Sequence, residues 1–219
     1  MKKSEKAGFY PILINLQRLN CLVVGGGKVA CRKITSLLKF NADITVISPG
    51  ISKPIMEIAK QGRIRVIKKS YSAKYIEEAG IVFCATDNPE INKMVRKDCT
   101  EKGVLLNVAD EPALCDFILP ANVIRGNLTI SVSSQGKAPF FTKEMKERLE
   151  QFVDPVYEEI FRLAEEFRNK IMLNKKLDTK AKAELFKKFT SKDWQKILAD
   201  NGKKSDEMHI KELLKEHNS

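Results

Sequence analysis

The residues of this 219-residue sequence whose types and spacing could do chemistry are three glycines, two aspartates and two serines. Gly25, Gly26 and Gly27 follow the apolar run 21–24. From Lys28 onward, Ala30, Ile34, Leu37 and Leu38 recur at helical spacing, with Arg32, Lys33 and Lys39 expected on the opposite, wet face. Gly25, Gly27 and Ala30 satisfy the G-x-G-x-x-[GA] dinucleotide pattern. Its first glycine permits the tight turn, its second lets the backbone approach a pyrophosphate, and its third, small position lets helix and strand pack closely. The free N–H groups of the helix's first turn then face an anion. The bland alternative is a strand–turn–helix corner with no ligand. Asp87 and Asp110 each end an apolar run, where a carboxylate could accept a proton or hold a metal, or simply form a turn before Asn88-Pro89 and Glu111-Pro112. Ser133 and Ser134, in the polar loop 133–137, could bond a phosphate or carboxylate, but no G-x-S-x-G or partnered histidine makes them nucleophiles.

Elements must bring these residues together. The runs 21–24, 44–48, 63–68, 81–85 and 104–108 read as strands, and amphipathic stretches between them read as helices. Strand and helix alternating at these intervals give a Rossmann-type doubly wound parallel sheet, in which ligands sit beyond the carboxyl ends of the strands. That rule gathers residues 25–29, 48–50, 86–88 and 109–111 onto one rim, making Ser48, Thr86 and Asp87 expected cofactor contacts. The second strand ends without the usual ribose-binding carboxylate; Ser48 could bond one hydroxyl, and the absence of an arginine there favours NAD over NADP. Beyond residue 116 the texture changes: 117–119 and 128–132 are strand-like, separated by a stretch containing Arg125-Gly126-Asn127. Pro139 and Pro155 each open a helix, and 151–219 reads as wholly helical. The expected fold is α/β: a nucleotide domain over 1–113, a small α+β dimerisation segment over 114–150 and a helical domain over 151–219.

Composition narrows the classes. No apolar run approaches the ~18–20 residues of a membrane span, and no signal peptide is read at the N-terminus. Five scattered cysteines with no C-x-x-C pair argue for reduced thiols in a cytoplasm rather than disulfides or a metal site. Both histidines, His209 and His217, fall in the charged tail, so a histidine base is not expected. The formal charge of +11 suits a nucleic acid, a small polyanionic substrate or a merely solvated surface. In the last 70 residues the lysines are interleaved with Glu and Asp, which reads as solvated helices. Neither nucleic acid nor membrane is assigned as a partner.

Five blocks in order carry a more specific signal: YPILINL from Tyr10, LVVGGGKVACRK from Leu22, CATDNPEIN from Cys84, NVADEPALCDFILPA from Asn107 and LTISVSSQGKAP from Leu128. Together they resemble the precorrin-2 dehydrogenase family, the dehydrogenase/ferrochelatase module of siroheme synthases, over roughly residues 9–150. The resemblance implies oxidation of precorrin-2 to sirohydrochlorin with NAD accepting a hydride, and in some members insertion of ferrous iron. It implies a homodimer, and makes Asp110 of the N-V-x-D motif the general base. Cofactor contacts carry onto Gly25, Gly27, Lys28 and Val29, with Pro49 and Gly50. Ser134 borders the substrate cleft in the family and is phosphorylated in some relatives; Gln135 departs from the small residue that many relatives carry before the glycine. Arg125 and Lys137 are the expected contacts for the substrate's many carboxylates, against the plainer reading of ordinary surface charges. Siroheme synthases with a fused methyltransferase differ from this sequence, so methylation is expected on another polypeptide. With no Cys/His cluster for a resident metal, iron insertion would have to reuse Asp110. The alternative from another class is a nucleotide-sensing regulator whose basic helical domain grips DNA or a partner protein.

Overall fold

The computed structural model describes residues 8–201, so His209 and His217 lie outside the described residues. The chain divides into two compact units, Met1–Leu119 and Pro120–Ser219. The segment expected as a separate dimerisation piece is therefore shared: residues 114–119 go with the first unit and 120–150 with the helices.

Five parallel strands form the first unit's sheet: β1 (Asn20–Val24), β2 (Asp43–Ile47), β3 (Arg65–Ile67), β4 (Ile81–Cys84) and β5 (Leu105–Val108), in the order β3-β2-β1-β4-β5. The chain winds outward from β1 to β3 and then returns to β4, so the strand order reverses between β1 and β4, where such sheets bind ligands. β1 and β4 are flanked on both sides, and their apolar runs are buried throughout β4 and from Cys21 onward in β1. β3, with its charged Arg65, takes the edge.

Three helices cover the two faces: α1 (Lys28–Leu38), α2 (Lys53–Lys60) and α3 (Pro89–Lys102). Ala30, Ile34 and Leu37 of α1 and Ile55 of α2 pack on Val23, Ile44, Val46, Ile81 and Phe83. Val95 and Cys99 of α3 pack on the alternate residues Val24, Val82, Cys84, Leu106 and Val108. Each fully buried aliphatic or aromatic side chain contributes about 1.5–3 kcal/mol. Lys33 departs from the helical wheel. Its side chain is not on the wet face but runs inward, its Nζ donating to Asn107 Oδ1 at 2.7 Å and lying 5.9 Å from the centroid of the Phe83 ring.

In the second unit β6 (Ala121–Arg125) and β7 (Leu128–Val132) form an antiparallel hairpin, Arg125 opposite Leu128. Gly126 and Asn127 make its two-residue turn, with Gly126 at φ +53. This revises the expected strand at 117–119. Those residues are not a strand; Phe117 packs edge-on against Phe83 and its carbonyl accepts Asn107 Nδ2 at 3.0 Å. The helices are α4 (Pro139–Phe152), α5 (Val156–Leu173), α6 (Thr179–Thr190) and α7 (Trp194–Asn201). α5 and α6 bury Leu163, Phe167, Ile171, Leu185 and Phe189 around Trp194. No described helix is long and apolar enough to cross a membrane.

Candidate active site

Register sets the rim. Val24 lies beside Ile47 and Cys84, and Cys84 beside Val108, so β1, β2, β4 and β5 end level. The loops leaving these strand ends (25–29, 48–50, 86–87 and 109–111) therefore gather at one edge of the first unit, as expected from the sequence.

The three glycines are there for different reasons. At Gly25 φ is +122, and an added Cβ would stand 2.2 Å from the Ala85 carbonyl oxygen. At Gly26 it would stand 2.0 Å from the Gly50 oxygen, and Gly26 O accepts the Ser52 N–H at 2.9 Å, lacing the loop after β2 onto the turn. An added Cβ at Gly27 meets nothing within 4 Å. Protein thus closes the turn at two glycines and leaves space at the third. Gly27 is also the N-cap of α1, without a side-chain cap and with no acidic residue in the first turn. The first-turn N–H groups, with Lys28 and Val29 opening the helix, offer hydrogen bonds and the positive end of the helix dipole. These residues fit a dinucleotide diphosphate. Half-buried Ser48 and exposed Pro49 and Gly50 lie at the adjoining strand end.

On the other side of β1, Thr86 Oγ1 accepts the Asn88 N–H at 3.1 Å, and Asn88 caps α3 by accepting from the Glu90 and Ile91 N–H groups. Asp87 is exposed beside them. Asp110 is exposed too, held in the left-handed region at φ +60, a conformation that Asp tolerates better than most residues. The Ala109 N–H before it is bonded to Cys84 O at 2.8 Å. Along the outer edge of β5, the Cys115 Sγ lies 3.1 Å from Val108 N and 3.2 Å from Val108 O. Asp116 brackets Leu106 and forms an ion pair with Arg96 at 2.7 Å. Beneath the rim, burial pushes the Lys33 ammonium below its ordinary range, against the upward pull of Cys115, Asp110 and Cys84, while Arg32 adds to the depression. Sequence reasoning put Glu111 on the rim without its tie to Asn92, and it missed Lys33, Ser52, Asn92 and Asn107 as residues that build the rim. The motif blocks contain all of these except Ser52, but a motif does not say which side chains meet.

In the second unit, Ser134 and Arg125 are not brought together. Ser134 Oγ accepts the Ala138 N–H at 3.0 Å and lies 3.0 Å from Thr142 Oγ1, at the start of α4. Arg125 sits at the other end of that helix, about 21 Å away along 14 residues. Its Nε donates to Val153 O at 3.0 Å and its Nη2 to Glu150 O at 3.2 Å, with Nη1 on Ile124 O. The expected substrate arginine thus serves as a helix cap, because the last carbonyls of α4 need donors. Lys137 is exposed in the loop where Gln135 and Gly136 both adopt positive φ.

A family model described as NAD(P)-binding matches residues 12–121, and one for the central part of sirohaem biosynthesis proteins matches 125–151. The chain belongs to this NAD(P)-binding family. Among curated relatives, the siroheme synthase of Ruthia magnifica subsp. Calyptogena magnifica is 37% identical over 163 residues, 74% of this chain and 34% of that protein. That of Pseudoalteromonas atlantica (strain T6c / ATCC BAA-1087) is 30% identical over 212 residues, 96% of this chain and 46% of that protein. The chain therefore spans less than half the length of these relatives. A solved structure titled SirC, precorrin-2 dehydrogenase, superposes with a TM-score of 0.78 at 27% identity, covering 96% of this chain and 99% of that one.

Proposed function

We propose that the chain oxidises precorrin-2 to sirohydrochlorin in siroheme biosynthesis, with NAD as the oxidant. The observation that carries this reading is the level rim, where Asp110 follows β5 on the sheet edge that begins at the open glycine turn, in a chain similar to SirC from end to end. Bound NAD supplies the hydride acceptor. The protein's part is to hold the diphosphate at Gly25, Gly27 and the first turn of α1, with Lys28 and Val29. Ser48, Pro49 and Gly50 border the adenosine side, and Thr86 and Asp87 the β4 side. Asp110 takes the proton that leaves the macrocycle as its hydride departs, so two electrons and two hydrogens are removed and accounted for. Ser134 and Lys137 are the proposed contacts for substrate carboxylates, while the carbonyl bonds of Arg125 give it a structural role. Pairing of two copies through the second unit would cover Ile124, Phe140 and Phe152, which are exposed large hydrophobics.

Incubation with precorrin-2 and NAD should yield NADH and the sirohydrochlorin spectrum. A nucleotide-sensing regulator would bind NAD and give neither. Ferrous iron enters this reading as a second substrate, deprotonation of the macrocycle again falling to Asp110; adding ferrous or cobalt ions to protein plus sirohydrochlorin tests that step. Sedimentation analysis tests the dimer.

A further inference from the structure

Among the described residues the buried polar side chains are Asn92 and Asn107, and both lie beneath the rim. Asn92, 2% exposed, is on α3, where an apolar side chain of similar size would fill the space without any need for partners. Its amide is instead fully engaged. Oδ1 accepts the Cys84 thiol at 3.1 Å. Nδ2 donates to Glu111 Oε1 at 2.5 Å and reaches Thr86 O at 3.5 Å. One side chain therefore joins the end of β4, the loop after β4 and the loop after β5.

The carboxylate of Asp110 has no hydrogen bond within the described residues, so its neighbours fix its position. On one side is the Ala109–Cys84 backbone bond; on the other is Glu111, whose carboxylate is tied to Asn92. We infer that Asn92 is a positioning residue for the dehydrogenation: through Glu111 it holds Asp110 in its left-handed backbone conformation, and through Thr86 it ties that loop to the one bordering the dinucleotide. This rests on the reading of Asp110 as the base.

The test combines turnover with amide hydrogen exchange over residues 109–112. Asn92→Leu should speed exchange there while leaving the β1 and β2 segments protected. It should also lower kcat on the order of 10- to 100-fold, with the KM for NAD changed far less. Glu111→Ala removes the same clamp from the loop side without disturbing the core, and should reproduce both effects. Asn92→Asp sets a carboxylate against Glu111 and the Thr86 carbonyl, beside the buried thiol of Cys84. Combining it with Glu111→Gln restores a donor–acceptor pair of reversed polarity, and kcat should recover toward wild type. A merely structural Asn92 would lower the melting temperature without the loop-specific exchange or the rescue. Unchanged exchange at 109–112 in both Asn92→Leu and Glu111→Ala would overturn the inference. Asp110→Asn, run alongside, separates the two readings: if it turns over normally the base assignment fails, while the exchange data still decide the clamp.

Discussion

Gly25 and Gly27 are two positions apart, yet they should respond oppositely to the same methyl group. Gly25→Ala places a Cβ against the Ala85 carbonyl at a φ that L-residues avoid, so the protein should lose stability or fail to fold, read by thermal melting. Gly27→Ala finds open space, so the melting temperature should hold while NAD affinity falls, read by calorimetry. Asp110→Gly should abolish turnover but leave stability unchanged or raised by up to about 1 kcal/mol, because the strained φ is relieved. The glycine spacing could be read from the sequence because it matches a known dinucleotide pattern, although the atoms that exclude a Cβ, the Ala85 and Gly50 carbonyl oxygens, lie far along the chain. Lys33 could not: the helical wheel put it in water, and its partner Asn107 lies 74 positions away. Asn92 was hidden for a related reason, since a polar residue on a helix looks solvated until its buried partners are known.

At the scale of elements, β1 and β4 were legible because strands flanked on both sides must be apolar throughout, and the edge strand β3 through its alternation of charged and apolar residues. β6 was not. Ala121, Asn122 and Arg125 dilute its pattern, and the more apolar 117–119 drew the strand assignment although Phe117 is core packing. Helix ends were better marked. Asn88→Ala removes two capping bonds from α3 and should cost about 1 kcal/mol in a denaturant melt, loosening the loop bearing Thr86 and Asp87. Arg125→Ala strips the donors from the end of α4 and should destabilise the second unit by about 2 kcal/mol. Arg125→Lys should recover only part of this, because an ammonium lacks the guanidinium fork.

For the whole molecule, buried thiols set the alkaline limit. Burial pushes Cys21 up to about 11 and Cys84 and Cys99 up to about 12, from an ordinary 9.0. The native state keeps these protons while the unfolded chain releases them, so their stabilisation is complete below pH 9 and is lost as pH rises through the folded values. Tyr71, shifted upward by burial and by its bond to Asp98, acts in the same direction. Lys33 opposes them, since a lowered ammonium favours the fold as pH climbs toward 10.5, but it is one group against five, because burial raises the Cys115 thiol as well. The melting temperature should therefore fall above pH 9, and Cys99→Ala should flatten that slope in a series of scans across pH. The chain's single tryptophan gives such scans a second dimension. Trp194 is buried against Phe189, its indole N–H on the Phe189 carbonyl at 2.7 Å, among the helices that come after the hairpin. Its emission is thus a private reporter of that half of the polypeptide, and any gap between the fluorescence and circular-dichroism midpoints would time the loss of the nucleotide half separately.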